Sequence, residues 1–172
     1  MIEIKLVGIT EIEEKHYLEY MDAWKRNNET LSPSISELNE MSFTAWKKYL
    51  ISLQDNETKP QDMVKAETLF LVEENGYIIG MTNLRYDLTP DLLKYGGHLS
   101  FGIRPEERGK GYGFIIVKLS LNVIMTHGIP RALITSKREN KAARNTIRKI
   151  GGKLENSYEQ DGSVIDRYWI EL

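Results

Sequence analysis

The chain has 172 residues, a length that predicts one domain with a substantial core. Apolar residues make up 41% of the sequence and charged residues 28%, values that exclude a disordered, collagenous or membrane-embedded chain. The sequence contains no cysteine, which excludes disulfides, a thiolate nucleophile and thiolate zinc sites.

The amino terminus does not resemble an export signal. Glu3 introduces an acidic side chain early, and no long apolar stretch follows it. The longest apolar block, residues 114–117, is far shorter than the ~20 residues that span a bilayer. The sequence therefore predicts a cytoplasmic protein that does not enter a membrane.

Charge is strongly segregated along the chain, although the formal net charge is only −2. Residues 104–153 carry 12 basic and 3 acidic side chains, whereas residues 1–103 and 154–172 are both acidic. One interpretation is a local site for a polyanion, and the other is a set of solvated helix faces. A general nucleic-acid binder is more often basic throughout, so we expect no nucleic-acid partner.

The first half of the chain predicts a strand, two helices and a hairpin. Ile2, Ile4 and Leu6 alternate with charged residues, a pattern typical of a strand. Apolar residues at helical spacing then predict one helix ending near residue 27 and a second one capped by Ser42. Strand-like segments at 68–72 and 77–85 are joined by a turn that ends in Gly76.

The second half alternates strands and helices. A short element at 90–95 precedes a strand at 98–103, a glycine-rich loop at 108–113, and a helix from residue 114 that is apolar on nearly all sides. A strand at 132–135, a helix at 140–150 and a final hairpin at Asp161-Gly162 complete the chain. The predicted order, β-α-α-β-β-β-α-β-α-β-β, gives a mixed α/β (α+β) fold with helices on the faces of the sheet.

The most informative segment is residues 104–113, RPEERGKGYG, between a strand and a helix. Glycines at 109, 111 and 113 remove side chains where a bulky anion would approach, and main-chain N–H groups at a helix start form a concave donor site. The segment does not match a Walker loop, because Gly109-Lys110 is not followed by Ser or Thr. It does not match a dinucleotide-binding fingerprint either, because no third glycine follows at the required spacing.

This segment resembles the acetyl-coenzyme A loop of the GCN5-related N-acetyltransferases. The family pattern is Arg or Gln, two residues, Gly, one residue, then Gly or Ala, which Arg108, Gly111 and Gly113 match. The downstream segment from Asn140 to Gly152 falls in the family's order, so the resemblance covers residues 97–152 well and residues 1–96 only through element order. The segment from Tyr86 to Gly113 also resembles a less characterised bacterial branch of the family, usually described only as predicted acetyltransferases.

The resemblance implies a central sheet of mixed, mostly antiparallel direction and a single N-acetyltransferase domain over residues 1–172. Residues 1–96 would form the acceptor side, 97–152 the acetyl-CoA-binding core, and 153–172 a C-terminal hairpin. The main chain of six loop residues would bind the pyrophosphate. The main chain of Phe101 and Ile103 would pair with the pantetheine arm, and Asn140 and Ala143 would lie at the far end of that arm. The loop residues are Arg108, Gly109, Lys110, Gly111, Tyr112 and Gly113, and the possible nucleotide-phosphate partners are Lys137, Arg138, Lys141, Arg144 and Arg148.

The chemistry implied is direct transfer of an acetyl group from acetyl-CoA, as co-substrate, to an amine of a small molecule or peptide in a ternary complex. The absence of cysteine excludes an acyl-cysteine intermediate. Many relatives carry a tyrosine that acts as the general acid at the position of Ile147. In this chain the proton donor would instead be water or another tyrosine such as Tyr158. His98 is the candidate general base, because histidine titrates near neutral pH, although strand alternation places it opposite Phe101.

Several alternatives remain open. Because Ile147 replaces the usual tyrosine acid and the general base is uncertain, the sequence also allows a non-catalytic sensor that binds coenzyme A. No His, Asp and Glu set has metal-ligand spacing, so we expect no metal. The oligomeric state is open, a homodimer included. Acidic residues in the presumed acceptor loops favour a cationic acceptor such as a polyamine, aminoglycoside or basic peptide; they are Glu37, Glu40, Asp55, Glu57 and Asp62.

Overall fold

The computed structural model describes residues 3–172, so Ile2, which the alternating pattern assigns to the first strand, lies outside the described residues. The predicted element order is confirmed. The strands are β1 (Ile4–Gly8), β2 (Ala66–Glu73), β3 (Ile78–Arg85), β4 (Leu99–Ile103), β5 (Arg131–Lys137), β6 (Lys153–Gln160) and β7 (Ser163–Glu171). The α-helices are α1 (Glu14–Arg26), α2 (Phe43–Ser52), α3 (Tyr112–Thr126) and α4 (Lys141–Lys149).

Short helical turns connect several of these elements. Turns of 3-10 type occupy Ile9–Glu11, Ser34–Ser36 and Pro105–Glu107, and the predicted short element before β4 is a π-helical turn over Leu92–Gly96. Within residues 3–172, no helix is both long and apolar enough to cross a membrane.

The seven strands form one sheet in the order β1-β2-β3-β4-β5-β7-β6. Neighbouring strands pair antiparallel except β4 and β5, which run parallel. The predicted mixed, mostly antiparallel sheet is therefore confirmed. At the β6–β7 hairpin, Asp161 and Gly162 both have positive φ, the backbone that such a tight turn requires.

Helices α1 and α2 cover one face of the sheet through an aromatic core. The rings of Tyr17 and Trp46 stack with their centroids 4.4 Å apart, and both residues are completely buried. The Ser42 side chain caps α2 by accepting a hydrogen bond from the Ala45 N–H, as the sequence predicts. These contacts fix α1 and α2 on β1–β3, and the chain between the helices reaches towards β4.

Helices α3 and α4 cover the opposite face. Ile116, Val117 and Ile124 of α3 are completely buried against the sheet, as the apolar sequence predicts. Ile115 and Met125 remain exposed, because α3 lies in an outer layer and presents one side to solvent. With α3 anchored in this way, its N-terminal end lies beside β4.

Candidate active site

The candidate site begins where the two parallel strands separate. Leu99 of β4 is paired with Ile134 of β5, and the His98 N–H donates to the Leu133 carbonyl at 2.8 Å. The described strands β4 and β5 then continue without further pairing. The sheet therefore contains a gap between them that closes at Leu99.

The pairing of β4 with β3 determines which main-chain groups face this gap. The Arg85 N–H donates to the His98 carbonyl, and the Arg104 N–H donates to the Ile79 carbonyl, both at 2.8 Å. In an antiparallel pair such bonds alternate, so residues 98, 100, 102 and 104 face β3. The N–H and C=O groups of Phe101 and Ile103 consequently face the gap.

The glycine-rich loop lies at the wide end of the gap. Gly109 and Gly111 have φ values of +77° and +88°, a left-handed backbone that side chains rarely adopt. A Cβ built on either residue would meet no atom within 4 Å, so both face open space.

The loop also exposes a run of donors. The N–H groups of residues 109–113 donate hydrogen bonds to no described residue, whereas the Arg108 N–H donates to the Pro105 carbonyl at 3.4 Å. The donors are therefore the five N–H groups from Gly109 to Gly113, one fewer than the sequence analysis expects. They lie at the positive end of the α3 dipole, where an anion is stabilised.

The Arg108 side chain connects this loop to both neighbouring structures. Its Nε donates to the Ile103 carbonyl at 3.1 Å, and its two terminal nitrogens each lie 2.7 Å from a carboxylate oxygen of Glu29. These hydrogen bonds lower the pKa of Glu29 below its ordinary value, although burial opposes them. The guanidinium carbon lies 5.0 Å from the centroid of the Trp24 ring.

A cavity of about 590 Å³ lies along the gap and the loop. Its lining includes most of the residues that the resemblance assigns to the cofactor: Phe101, Ile103, Arg108, Gly109, Gly111, Tyr112, Gly113, Asn140 and Ala143. Lys110 lies outside the lining, exposed and paired with Glu107 at 2.9 Å. The structure thus brings together residues from β4, the loop and α4 around one space.

Asn140 is the N-cap of α4. Its Oδ1 accepts a hydrogen bond from the Ala143 N–H at 3.1 Å, which stabilises the first turn of the helix. Asn140 also lines the cavity, which leaves its side-chain amide N–H₂ for a ligand.

The sequence analysis misses the residues that close the cavity on the α1 side. These are Trp24, Glu29, Thr30 and Ser32, at the end of α1 and in the loop that follows. A Cβ on Gly102 would lie 2.0 Å from the Ser32 carbonyl oxygen, so this loop lies directly over β4. No local sequence signal marks these residues, because they reach the site through the tertiary fold. Ala142, Asn145 and Lys149 of α4 also line the cavity. Their helical spacing places them on one face of α4, a pattern that is visible in the sequence.

His98 lies away from this cavity. It is 8% exposed, its Nδ1 accepts a hydrogen bond from the Leu133 N–H at 2.9 Å, and its ring packs edge-on against Trp169. Burial, with a smaller contribution from the nearby Arg85 charge, lowers the pKa of His98. The ring is thus a neutral hydrogen-bond acceptor that holds β4 against β5.

Tyr158, the candidate general acid, and Ile147, at the position of the family's usual tyrosine, also lie outside the cavity lining. Ile147 is completely buried in the core between α4 and the sheet. Tyr158 lies on β6, with its ring 6.1 Å from Tyr95 and the Lys94 ammonium 4.7 Å above it.

The basic block is partly neutralised inside the fold. Arg138 Nη2 lies 2.7 Å from a carboxylate oxygen of Asp166, and Arg144 Nε lies 3.7 Å from the other. Although burial opposes them, hydrogen bonds from Arg138 and Ser157 lower the pKa of Asp166. Among the described residues, Lys137, Lys141 and Arg148 form no ion pair with a carboxylate, which leaves their charge for a ligand.

No cluster of His, Asp and Glu that could hold a metal ion occurs in residues 3–172.

Comparison with known proteins agrees with this geometry. Residues 32–151 match the Acetyltransferase (GNAT) family. A search of curated proteins finds no sequence match.

Solved structures share the fold at low sequence identity. A GNAT-family acetyltransferase from Streptococcus pneumoniae superimposes with a TM-score of 0.67, 14% identity and full coverage of both chains. The dodecameric spermidine N-acetyltransferase of Vibrio cholerae gives a TM-score of 0.64 and 16% identity over 98% of this chain and 93% of that one. The yncA protein of Salmonella typhimurium, solved with its cofactor acetyl-CoA, gives a TM-score of 0.66 and 11% identity over 98% of this chain and 93% of that one.

The family match extends over more than half of the chain and includes the gap, the loop and α4. The chain therefore belongs to the Acetyltransferase (GNAT) family, as its resemblance to the GCN5-related N-acetyltransferases predicts.

Proposed function

We propose that the protein transfers the acetyl group of acetyl-CoA directly to an amine. The observation that carries this proposal is the run of unbonded main-chain N–H groups from Gly109 to Gly113 at the start of α3. Several such donors, together with the helix dipole, bind a pyrophosphate without a metal. The yncA relative, solved with acetyl-CoA, supports the same assignment for this chain.

The residues present fit this co-substrate. The loop surface at Gly109 and Gly111 is open, and the cavity of about 590 Å³ continues from it into the gap beside β4. The main-chain groups of Phe101 and Ile103 would pair with the pantetheine arm as a strand edge pairs with an extended peptide. Asn140 would donate its amide N–H₂ to the far end of the arm, beside the small side chain of Ala143.

The nucleotide end would meet the basic residues of α4. Arg138 and Arg144 are already held by Asp166, so Lys137, Lys141 and Arg148 are the stronger candidates among the five expected partners. Lys149 joins them, because it lines the cavity, with its Nζ 5.2 Å from the Phe114 ring.

The closed end of the gap supports a location for the reaction. Because β4 and β5 pair at Leu99, an arm that enters at the loop would end beside Phe101. The co-substrate, when bound, supplies an activated thioester. The Phe101 N–H, which faces the gap, would donate to the carbonyl oxygen as it becomes negative, and loss of such a donor typically lowers a rate by ~10²–10³.

Transfer would be direct, because the chain has no cysteine to carry an acyl group. The acceptor amine must be unprotonated when it attacks, which is rare for a lysine-type amine with a pKa of about 10.4 and common for an α-amine with a pKa near 7.7. We assign no proton step to His98, since its Nδ1 is bonded to Leu133 and it lies outside the cavity lining.

Calorimetry with acetyl-CoA tests the proposed binding site. Gly111→Leu should weaken binding by at least about 100-fold, because its side chain would occupy the anion site. Gly128→Leu is the matched control: Gly128 has φ +76° and open space around it, at the far end of α3. Both variants should lose similar stability through backbone strain, and only Gly111→Leu should lose affinity.

Release of free coenzyme A thiol with a panel of amines separates the two functional hypotheses. Thiol release that depends on an amine supports the transferase. Tight binding with no thiol release for any amine would instead support the coenzyme A sensor, for which Ile147 is the argument. Unchanged affinity in Gly111→Leu would contradict the placement of the pyrophosphate itself.

The proposed location is the cytoplasm. The oligomeric state is open, a homodimer included, and a dodecameric relative makes self-association of this chain worth measuring by analytical ultracentrifugation. Cell fractionation would test the location.

A further inference from the structure

Arg85 is a partly buried cation with no anionic partner in the described protein. Its guanidinium donates to the carbonyls of Gly97 at 2.7 Å and Gly96 at 2.9 Å, to Asn83 Oδ1 at 2.9 Å, and to Ser100 Oγ at 3.2 Å. All four acceptors are neutral, and no carboxylate of residues 3–172 forms an ion pair with it.

Other buried arginines of the chain differ in this respect. Arg104 is 7% exposed and pairs with Glu106, and Arg167 is 6% exposed and pairs with Glu155. Buried charges in proteins are normally paired, because removing a charge from water is costly without a counter-charge. Burial lowers the pKa of Arg85 to about 10, which still leaves it charged at neutral pH. The fold therefore holds a cation whose counter-charge is missing.

The position of Arg85 connects it to the reacting centre. Ser100, which it contacts, lies between Leu99, where the gap between β4 and β5 closes, and Phe101, which lines the cavity. Ser100 and Arg85 lie on the face of the sheet that carries α1 and α2, while the side chain of Phe101 lies on the face of α3 and α4. Neither Ser100 nor Arg85 lines the cavity of about 590 Å³, so an acceptor would reach them from the α1 side of β4, outside the space assigned to the co-substrate.

Two donors remain for an anion at this point. Arg85 uses four of its five N–H groups, which leaves one on Nη2, and the Ser100 hydroxyl accepts from Arg85 while its own proton can point outward. Together they would bind one oxyanion by charge-assisted hydrogen bonds.

We propose that Arg85 binds an oxyanion of the acceptor, so that the substrate is an amine that also carries a carboxylate or a similar oxyanion, an α-amino acid being the simplest. This inference depends on the proposed acetyltransferase function. It is opposite in sign to the cationic acceptor suggested by the acidic loops. Of those acidic residues, Glu40, Asp55, Glu57 and Asp62 are exposed to solvent, where their charge is screened.

Matched acceptor pairs test the substrate class. Thiol release from acetyl-CoA is measured with common amino acids, with the corresponding amino acid amides, and with spermidine as an amine that has no anion. We expect kcat/KM to be at least about tenfold higher for an amino acid than for its amide, since the amide lacks a charge-assisted bond. Equal values, or a preference for amides or spermidine, would overturn the proposal.

Three variants test the residue. Arg85→Gln should lose most of the preference for the anionic acceptor through KM, and Arg85→Lys should keep part of it because the charge remains. Arg131→Gln, at the exposed start of β5, is the control and should behave as wild type. A purely structural role would make Arg85→Gln and Arg85→Lys alike and would lower the rates for acids and amides equally, which would overturn the proposal.

A binding measurement separates this inference from the proposed function. Thermal unfolding of the wild type with coenzyme A is followed as amino acids or amides are added, so no turnover is required. Stabilisation by amino acids alone, lost in Arg85→Gln, supports the oxyanion site even if no acetyl transfer is detected. If the wild type binds acetyl-CoA normally but neither amino acids nor amides stabilise it, the oxyanion site is overturned and the proposed function still stands.

Discussion

Arg108 and Glu29 form a two-point ion pair, with each terminal nitrogen of the guanidinium 2.7 Å from one carboxylate oxygen. The pair spans 79 residues of sequence and joins the loop after α1 to the loop before α3. Since Arg108 also donates to the Ile103 carbonyl, one side chain aligns the cofactor loop, the gap in the sheet and the loop that covers it.

Glu29→Gln should lower the free energy of unfolding by about 0.5–1 kcal/mol at neutral pH, a modest value because solvent screens a partly exposed pair. Arg108 lowers the pKa of Glu29, so this stabilisation is present above the ordinary carboxyl pKa of about 4.3 and is lost as the pH falls below it. Urea unfolding at neutral pH and near pH 3 measures both values. The difference between wild type and variant should disappear at the acidic pH.

Glu11→Gln is the control for this experiment, because Glu11 forms an exposed ion pair with Lys5 away from the site. It should change neither acetyl-CoA binding nor the KM for the acceptor, whereas Glu29→Gln should raise the KM for the acceptor by freeing the covering loop. A stability loss in Glu29→Gln that persists unchanged near pH 3 would contradict the ion-pair explanation.

The glycine-rich part of the candidate site is predictable from the sequence because its determinants are local. The glycines of residues 108–113 and the N-terminus of α3 are adjacent in the chain, and their left-handed backbone and free donors follow from that short segment. Asn140 likewise begins the helix predicted at 140–150, where Asn is a preferred N-cap residue.

The acceptor half is not predictable in the same way. Trp24, Glu29 and Ser32 reach the cavity only because α1 packs across β1–β3, a contact that no periodicity reports. The missing counter-charge of Arg85 is also invisible in sequence, since it depends on which carboxylates the fold brings near. The expected role of His98 rested on residue type, which does not report that its ring is bonded to β5.

Gly102→Ala should destabilise the fold by about 1–3 kcal/mol, the usual range for an overpacked core. The added Cβ would lie 2.0 Å from the Ser32 carbonyl oxygen, a backbone atom that cannot rotate away, and 3.1 Å from the Trp24 ring. Displacement of the covering loop should also raise the KM for the acceptor. Gly8→Ala is the matched control, because its nearest atom would be 4.0 Å away, and urea unfolding should find it close to wild type.

Asn140→Asp separates the two roles of Asn140. Asp caps a helix as well as Asn does, so the free energy of unfolding should stay within about 0.5 kcal/mol of wild type, whereas Asn140→Ala should lose about 1 kcal/mol. Asp lacks the amide N–H₂ group, so calorimetry should find acetyl-CoA affinity lowered by about tenfold or more. Wild-type affinity in Asn140→Asp would leave this residue with the capping role alone.

His98→Asn should retain most of the acetyl-transfer activity. Asn places an oxygen where His98 Nδ1 accepts the Leu133 N–H, so the link between β4 and β5 is preserved without a titrating ring. Burial lowers the pKa of His98, so its contribution to stability is full above the unfolded value of about 6.5 and is lost as the pH falls below it. Unfolding between about pH 5 and pH 7 should therefore depend less on pH in the variant. A fall in kcat of ~10²–10⁴, the range for loss of a general base, would instead establish His98 as that base.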